Sequence, residues 1–120
     1  MRESVLERRF CRLVTRAGGK AYKFVSPGNA GVPDRIVVLP GGRIGFVELK
    51  QAGEIPGKQQ RFKQWELRQL GCYTAVVDSM ERAEEVIDEL QKQVPVTHAH
   101  DPLFEEMINR RPGRKAGMLL

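Results

Sequence analysis

Apolar residues recur at three- and four-residue spacing from Ser4 to Ala17, through Leu6, Phe10, Leu13, Val14 and Ala17, which describes one helix face. Ser4 followed by Glu7 has the form of a capping box at its start, and Gly18-Gly19 supply the stop. Lys20 to Val25 then alternates loosely through Tyr22 and Phe24, as a short strand does. The turn formers of Ser26-Pro27-Gly28-Asn29-Ala30-Gly31-Val32-Pro33 read as a loop, which leads into the β-branched strand Asp34 to Leu39. Pro40-Gly41-Gly42-Arg43 reads as a hairpin turn and Ile44 to Lys50 as the returning strand. A second loop, Gln51 to Gly57, precedes a helix from Lys58 to Leu70 that carries Phe62 and Trp65 and ends at Gly71. Cys72 to Val77 is an apolar strand. Asp78 or Ser79 can cap a last helix, in which Ala83, Val86, Ile87 and Leu90 fall on one face.

The order is therefore α-β-β-β-α-β-α. After about Gln93 the periodicity stops. Residues 1–93 read as the folded core and 94–120 as a C-terminal tail, partly helical near Leu103–Asn109 or engaged in oligomerisation. At 120 residues the chain suits one domain and not two. With 41% hydrophobic and 29% charged residues it belongs with globular rather than disordered chains. No apolar run is long enough to cross a bilayer, and the charged N-terminus has no signal-peptide pattern, so no membrane partner is expected. Cys11 and Cys72 are too few for a disulfide scaffold, and a reducing, cytoplasmic location is expected. Twenty Lys/Arg against fifteen Asp/Glu give a net charge of +5, which favours a polyanion such as nucleic acid.

Chemistry concentrates on the hairpin. Asp34 opens the first strand directly after the Gly/Pro loop, and Glu48 and Lys50, two apart on the second, project from one face. The hairpin brings these positions together at one end, although Asp34 and Glu48 are fourteen residues apart. The other members of the Glu48/Lys50 face, Ile44 and Phe46, are apolar, so charges there call for a partner. Two adjacent carboxylates repel unless they share a hard cation, and Mg2+ takes one or two carboxylates plus waters and phosphate oxygens. A lysine beside such a site can act on the attacking water and offset charge on a phosphorane.

Pro33-Asp34 followed by Glu48-Leu49-Lys50 resembles the PD-(D/E)XK nuclease signature. Gly31-Val32-Pro33-Asp34-Arg35, with Glu7 upstream and Gln60 downstream, is similar to one branch of it, the VRR-NUC family. The match spans roughly residues 3 to 90. The resemblance implies an α/β fold, with a core of order αβββαβ(α) and a mixed sheet flanked by helices. It also implies a Mg2+- or Mn2+-dependent DNA endonuclease that hydrolyses phosphodiester bonds, with branched DNA such as junctions or flaps as substrate and a homodimer as the assembly. By the same resemblance Asp34 and Glu48 are metal ligands, the Leu49 backbone carbonyl is a further one, and Lys50 is the catalytic lysine. Glu7 binds or positions the metal shell, with Glu3 as its substitute, and Gln60 sits at the site. The rival readings are a non-catalytic DNA-binding or scaffold domain, and a nuclease subunit of a larger assembly.

Several residues also have plainer explanations. Phe62 and Trp65 are expected in the core rather than stacked on bases, and the cysteines as small buried apolar residues. His98, His100 and Asp101 imitate a metal cluster but lack a second pair of ligands. Lys23, Lys58, Arg61 and Lys63 flank the proposed site and are candidates for DNA-backbone contacts.

Overall fold

The computed structural model describes residues 1–110. It contains α1 (Glu3–Arg16), β1 (Lys20–Lys23), β2 (Arg35–Leu39), β3 (Arg43–Leu49), α2 (Lys58–Gln69), β4 (Tyr73–Val77), α3 (Met80–Gln91) and α4 (Pro102–Asn109). The element order is the expected one, and the helical stretch of the tail is α4. Residues 111–120 of that tail lie outside the described residues.

The four strands form one mixed sheet in the order β1-β2-β3-β4. β1–β2 and β2–β3 pair antiparallel and β3–β4 parallel, as a hairpin followed by a helical crossover requires. One face is apolar. Val37 and Leu39 of β2, Gly45, Val47 and Leu49 of β3, and Ala75 and Val77 of β4 alternate onto it. Leu6, Phe10 and Val14 of α1 and Ala83, Val86, Ile87 and Leu90 of α3 close over those residues to make the core. Gly45 is needed there, because a Cβ would come within 2.9 Å of Leu90 and 2.8 Å of the Tyr73 ring.

The other face carries Asp34 just before β2, then Ile36, Phe46, Glu48, Thr74 and Val76. Only α2 lies over it among the helices that the hydrogen bonds place, because the Arg68 Nε and Nη2 donate to Thr74 Oγ1 and O at 2.6 and 2.9 Å. The expectation that Phe62 and Trp65 belong to the core is corrected. They are 54% and 56% exposed, with ring centroids 5.8 Å apart. α2 turns Gln60, Lys63, Gln64 and Leu67 inward instead, and none of its residues is fully buried.

Helix boundaries follow local chemistry. Ser79 Oγ accepts from the Arg82 N–H at 3.1 Å and caps α3, and Asp101 Oδ1 accepts from the Phe104 N–H at 3.0 Å and caps α4. The expected Ser4–Glu7 capping box does not form. α1 begins at Glu3 with Arg2 at its N-cap and no side-chain cap, and Glu7 is drawn away by an arginine described below. Cys11 and Cys72 are free and half-buried. Asp101 caps a helix and His100 pairs with Glu105 at 3.1 Å, so the imitation metal cluster is structural.

Candidate active site

The register of the hairpin creates the site. Arg35 pairs with Val47, so the preceding residue, Asp34, falls opposite Glu48 at the open end of the β2–β3 ladder. Asp34 Oδ2 accepts the Leu49 N–H at 2.7 Å, which locks its carboxylate onto the end of β3. The loop before it is held by a close backbone approach. Gly31 has φ +84°, and a Cβ there would lie 2.5–2.8 Å from the backbone of Gln59 and Gln60 at the start of α2. The same contact thus fixes Asp34 and the first turn of α2.

Glu48 is 1% exposed, and its Oε2 has no hydrogen-bond partner. Burial, then the hydrogen bond and charge of the neighbouring Asp34 carboxyl, push the Glu48 pKa up to about 9. The Lys50 ammonium opposes that rise and the Glu3 carboxylate adds to it, so both charges reach Glu48. Asp34, Glu48 and Lys50 are therefore gathered as their spacing suggests.

The remaining expected site residues are engaged as follows. Glu7 Oε1 accepts from Arg35 Nη2 at 2.7 Å, and Arg35 Nη1 donates to Ala21 O at 3.3 Å. Alternation along β2 places Arg35 on the apolar face, opposite to the face of Asp34 and Glu48. Glu7 thus meets the sheet from the α1 side, while Glu3, one turn nearer the strand ends, is the acid whose charge Glu48 feels. Gln60 Oε1 accepts the Gly57 N–H at 2.9 Å and tightens the first turn of α2. Among the four flanking cations, Arg61 Nη1 donates to Pro56 O at 2.8 Å and Lys63 pairs with Glu66 at 3.3 Å. Lys23 and Lys58 are exposed and make no ion pair among the described residues.

Sequence reasoning missed Gln64, whose Nε2 is buried without a partner on the inward side of α2. Its signal was a helical spacing: Gln60, Lys63, Gln64 and Leu67 make an i, i+3, i+4, i+7 stripe as regular as any apolar one.

Whether these residues suit a divalent cation can be judged from the donors. No group of three His, Cys, Asp or Glu side chains converges among the described residues. Two carboxylates, one with a buried oxygen lacking any partner, nevertheless match the donor set of Mg2+, which keeps waters and substrate phosphates in its remaining positions. The pair fits such an ion.

A mixed sheet with one apolar face, and a buried glutamate facing a partly exposed aspartate and a lysine on the other, is the arrangement expected of the nuclease class. The comparisons agree. The phage protein named "Putative nuclease p44", from Acyrthosiphon pisum secondary endosymbiont phage 1, is 47% identical over 81 residues, covering 68% of this chain and 87% of that protein. A solved VRR_NUC domain superposes with a TM-score of 0.68 at 29% identity, covering 72% of this chain and 94% of that one. No family model matches. The chain belongs to the VRR-NUC nuclease family.

Proposed function

We propose that the protein is a divalent-metal-dependent endonuclease hydrolysing DNA phosphodiester bonds, with residues 1–93 as its catalytic domain. The observation that carries this reading is Glu48, buried opposite the partly exposed Asp34 and within reach of the Lys50 charge, with one carboxylate oxygen unsatisfied. Nothing in the packing of the sheet requires an acid at Glu48, and an acid so placed costs stability unless it has a use.

Asp34, Glu48 and the Leu49 carbonyl would hold Mg2+ or Mn2+, which when bound supplies Lewis-acid polarisation of the scissile phosphate and of a water. Asp34 is pre-set for this by the Leu49 N–H, which fixes one of its carboxylate oxygens. Lys50, one residue beyond β3 and anchored by its N–H to Val77 O at 3.0 Å, presents its ammonium to the same pocket. There it orients the attacking water and offsets negative charge as water adds to phosphorus and the P–O bond to the leaving oxygen breaks. Glu3 and Glu7 divide the α1 role: Glu3 adds charge beside Glu48, and Glu7 holds Arg35 next to Asp34. Gln60 sets the first turn of α2 against the Gly31 loop. Lys23 and Lys58 are the cations free to meet the phosphate backbone, with Arg61 and Lys63 able to join them. Branched DNA as preferred substrate and a homodimer as working assembly complete the reading.

The test is incubation of purified protein with linear, nicked, flapped and four-way-junction DNA in Mg2+, Mn2+ or EDTA, beside Lys50→Ala. Metal-dependent cleavage lost in Lys50→Ala is expected. Cleavage that persists in EDTA or in the variant overturns the mechanism, and salt-sensitive binding without cleavage of any substrate favours a non-catalytic DNA-binding domain.

A further inference from the structure

Two buried side-chain atoms among the described residues lack a hydrogen-bond partner, Glu48 Oε2 and Gln64 Nε2. One is an acceptor and the other a donor. Buried polar groups left unpaired cost stability, so an unpaired donor and an unpaired acceptor in one domain call for an explanation.

Their positions along the fold are matched. Arg68, near the end of α2, is fixed over Thr74 by two hydrogen bonds. α2 runs against the direction of β4, because it leaves the far end of β3 and delivers the chain to the start of β4. Gln64 lies one helical turn before Arg68, about 6 Å toward the open end of the sheet. Val76 lies two residues after Thr74 in the same direction, about 6.6 Å along the strand and on the same face. Val76 is the register partner of Glu48. Gln64 is therefore suspended over the sheet at the level of Glu48, on the face to which Glu48 points.

From this placement we infer that Gln64 is a positioning residue of the active site, whose amide N–H donates to Glu48 Oε2 across the cleft between α2 and the sheet. The bond forms either directly, after a rotation of the Gln64 side chain, or through one water molecule. It fixes the plane of the Glu48 carboxylate, so that the oxygen facing Asp34 stays directed into the site. Asp34 already has such a support in the Leu49 N–H, and Gln64 is the corresponding support for the second acid. The inversion of α2 follows from the same requirement. A helix that placed Phe62 and Trp65 against the sheet would cover Glu48 with apolar rings, whereas the observed one brings an amide to it.

The inference rests on the nuclease reading for its meaning, and the experiment separates the two. Gln64→Leu and Gln64→Asn are compared with the parent protein by thermal unfolding without metal, Mn2+ titration calorimetry, and cleavage kinetics on the best DNA substrate. Gln64→Leu removes the donor to Glu48 Oε2 and is expected to lower the unfolding midpoint and to lower kcat at least tenfold, leaving the KM for DNA within twofold and weakening Mn2+ binding several-fold. Gln64→Asn, which keeps an amide, is expected to recover part of each loss. A glutamine without a bond to Glu48 would leave kcat and Mn2+ affinity unchanged and the midpoint unchanged or raised, and that result overturns the inference while leaving the nuclease reading intact. If the parent protein cleaves nothing, the functional reading fails alone, because the contact is also read without metal or DNA. The double-mutant cycle of Gln64→Leu with Glu48→Gln is expected to give non-additive unfolding midpoints, and additive ones overturn the contact.

Discussion

The two faces of the sheet are made from alternate residues of the same strands and solve opposite problems. On one, Val47 and Leu49 join Phe10, Val14, Val86 and Leu90 in a close-packed apolar core. On the other, Phe46 and Glu48 lie beneath a helix whose inward stripe is polar and whose aromatics face outward. Side chains on the first face are held by many weak contacts that tolerate small rearrangements. Those on the second are held by a few directional ones: the Leu49 N–H on Asp34, the Arg68 fork on Thr74, and the Gly31 loop pressed on Gln59. Stability is concentrated on one side and the proposed chemistry on the other, so substitutions should separate cleanly by face.

The largest effect expected is on the core side. Phe10 is fully buried, and Phe10→Ala should destabilise by about 3–5 kcal/mol, a large fraction of the stability of a domain of this size. Trp65→Ala removes a bigger ring from the other side, yet should cost less than about 1 kcal/mol because the indole is over half exposed. Urea unfolding with unchanged slope measures both. Equal losses would break the distinction between the faces. Lys50→Ala should show the converse, with cleavage reduced by about 100- to 10,000-fold and unfolding free energy within about 0.5 kcal/mol of the parent.

A pH titration sharpens the comparison, since the acid face should dominate it. The Glu48 pKa rises from an ordinary carboxylate value to about 9 on folding, so the folded protein holds a proton that the unfolded chain has released across the interval between them. Metal-free stability from this group is thus fully present below the ordinary value and is lost as pH climbs toward 9, by at most about 1.4 kcal/mol per pH unit. Glu48→Gln should flatten that slope. Unfolding midpoints of the two proteins from pH 5 to pH 9.5 check it, and parallel curves would mean that Glu48 is ionised throughout. Bound metal should reverse the trend, because it competes with the proton and binds better as pH rises.

Much of the hairpin geometry was legible in the sequence because its determinants are local. A Gly/Pro loop, two alternating strands and a tight turn fix which residues fall opposite one another, and Asp34 meets Glu48 as that register demands. Helix facing was less legible. α2 has two stripes of helical spacing, one aromatic and one polar, and periodicity shows that faces exist without showing which one is buried. The polar stripe is the one turned to the sheet, on the side where Arg68 binds Thr74. Similarly, Ser4 and Glu7 fit a capping pattern, but a guanidinium on the adjacent strand competes for Glu7 better than an exposed backbone N–H does. That competition depends on strand alternation placing Arg35 under α1, a tertiary fact.

The smallest expected effect bears on how α1 serves both faces. Glu7 and Arg35 form a partly exposed pair on the core side, whereas Glu3 acts through its charge on Glu48. Glu7→Gln should therefore cost only about 0.5–1 kcal/mol at low salt, and the loss should shrink toward zero in 1 M salt, where the screening length is about 3 Å. Glu3→Gln should leave that salt dependence untouched. It should instead lower the pH at which Glu48 ionises, because one of the negative charges holding the proton in place has been removed. Carboxylate NMR titration of Glu48 in the two variants distinguishes the roles. A downward shift in Glu7→Gln and none in Glu3→Gln would exchange them, and would make Glu7 the α1 residue that borders the acid pair.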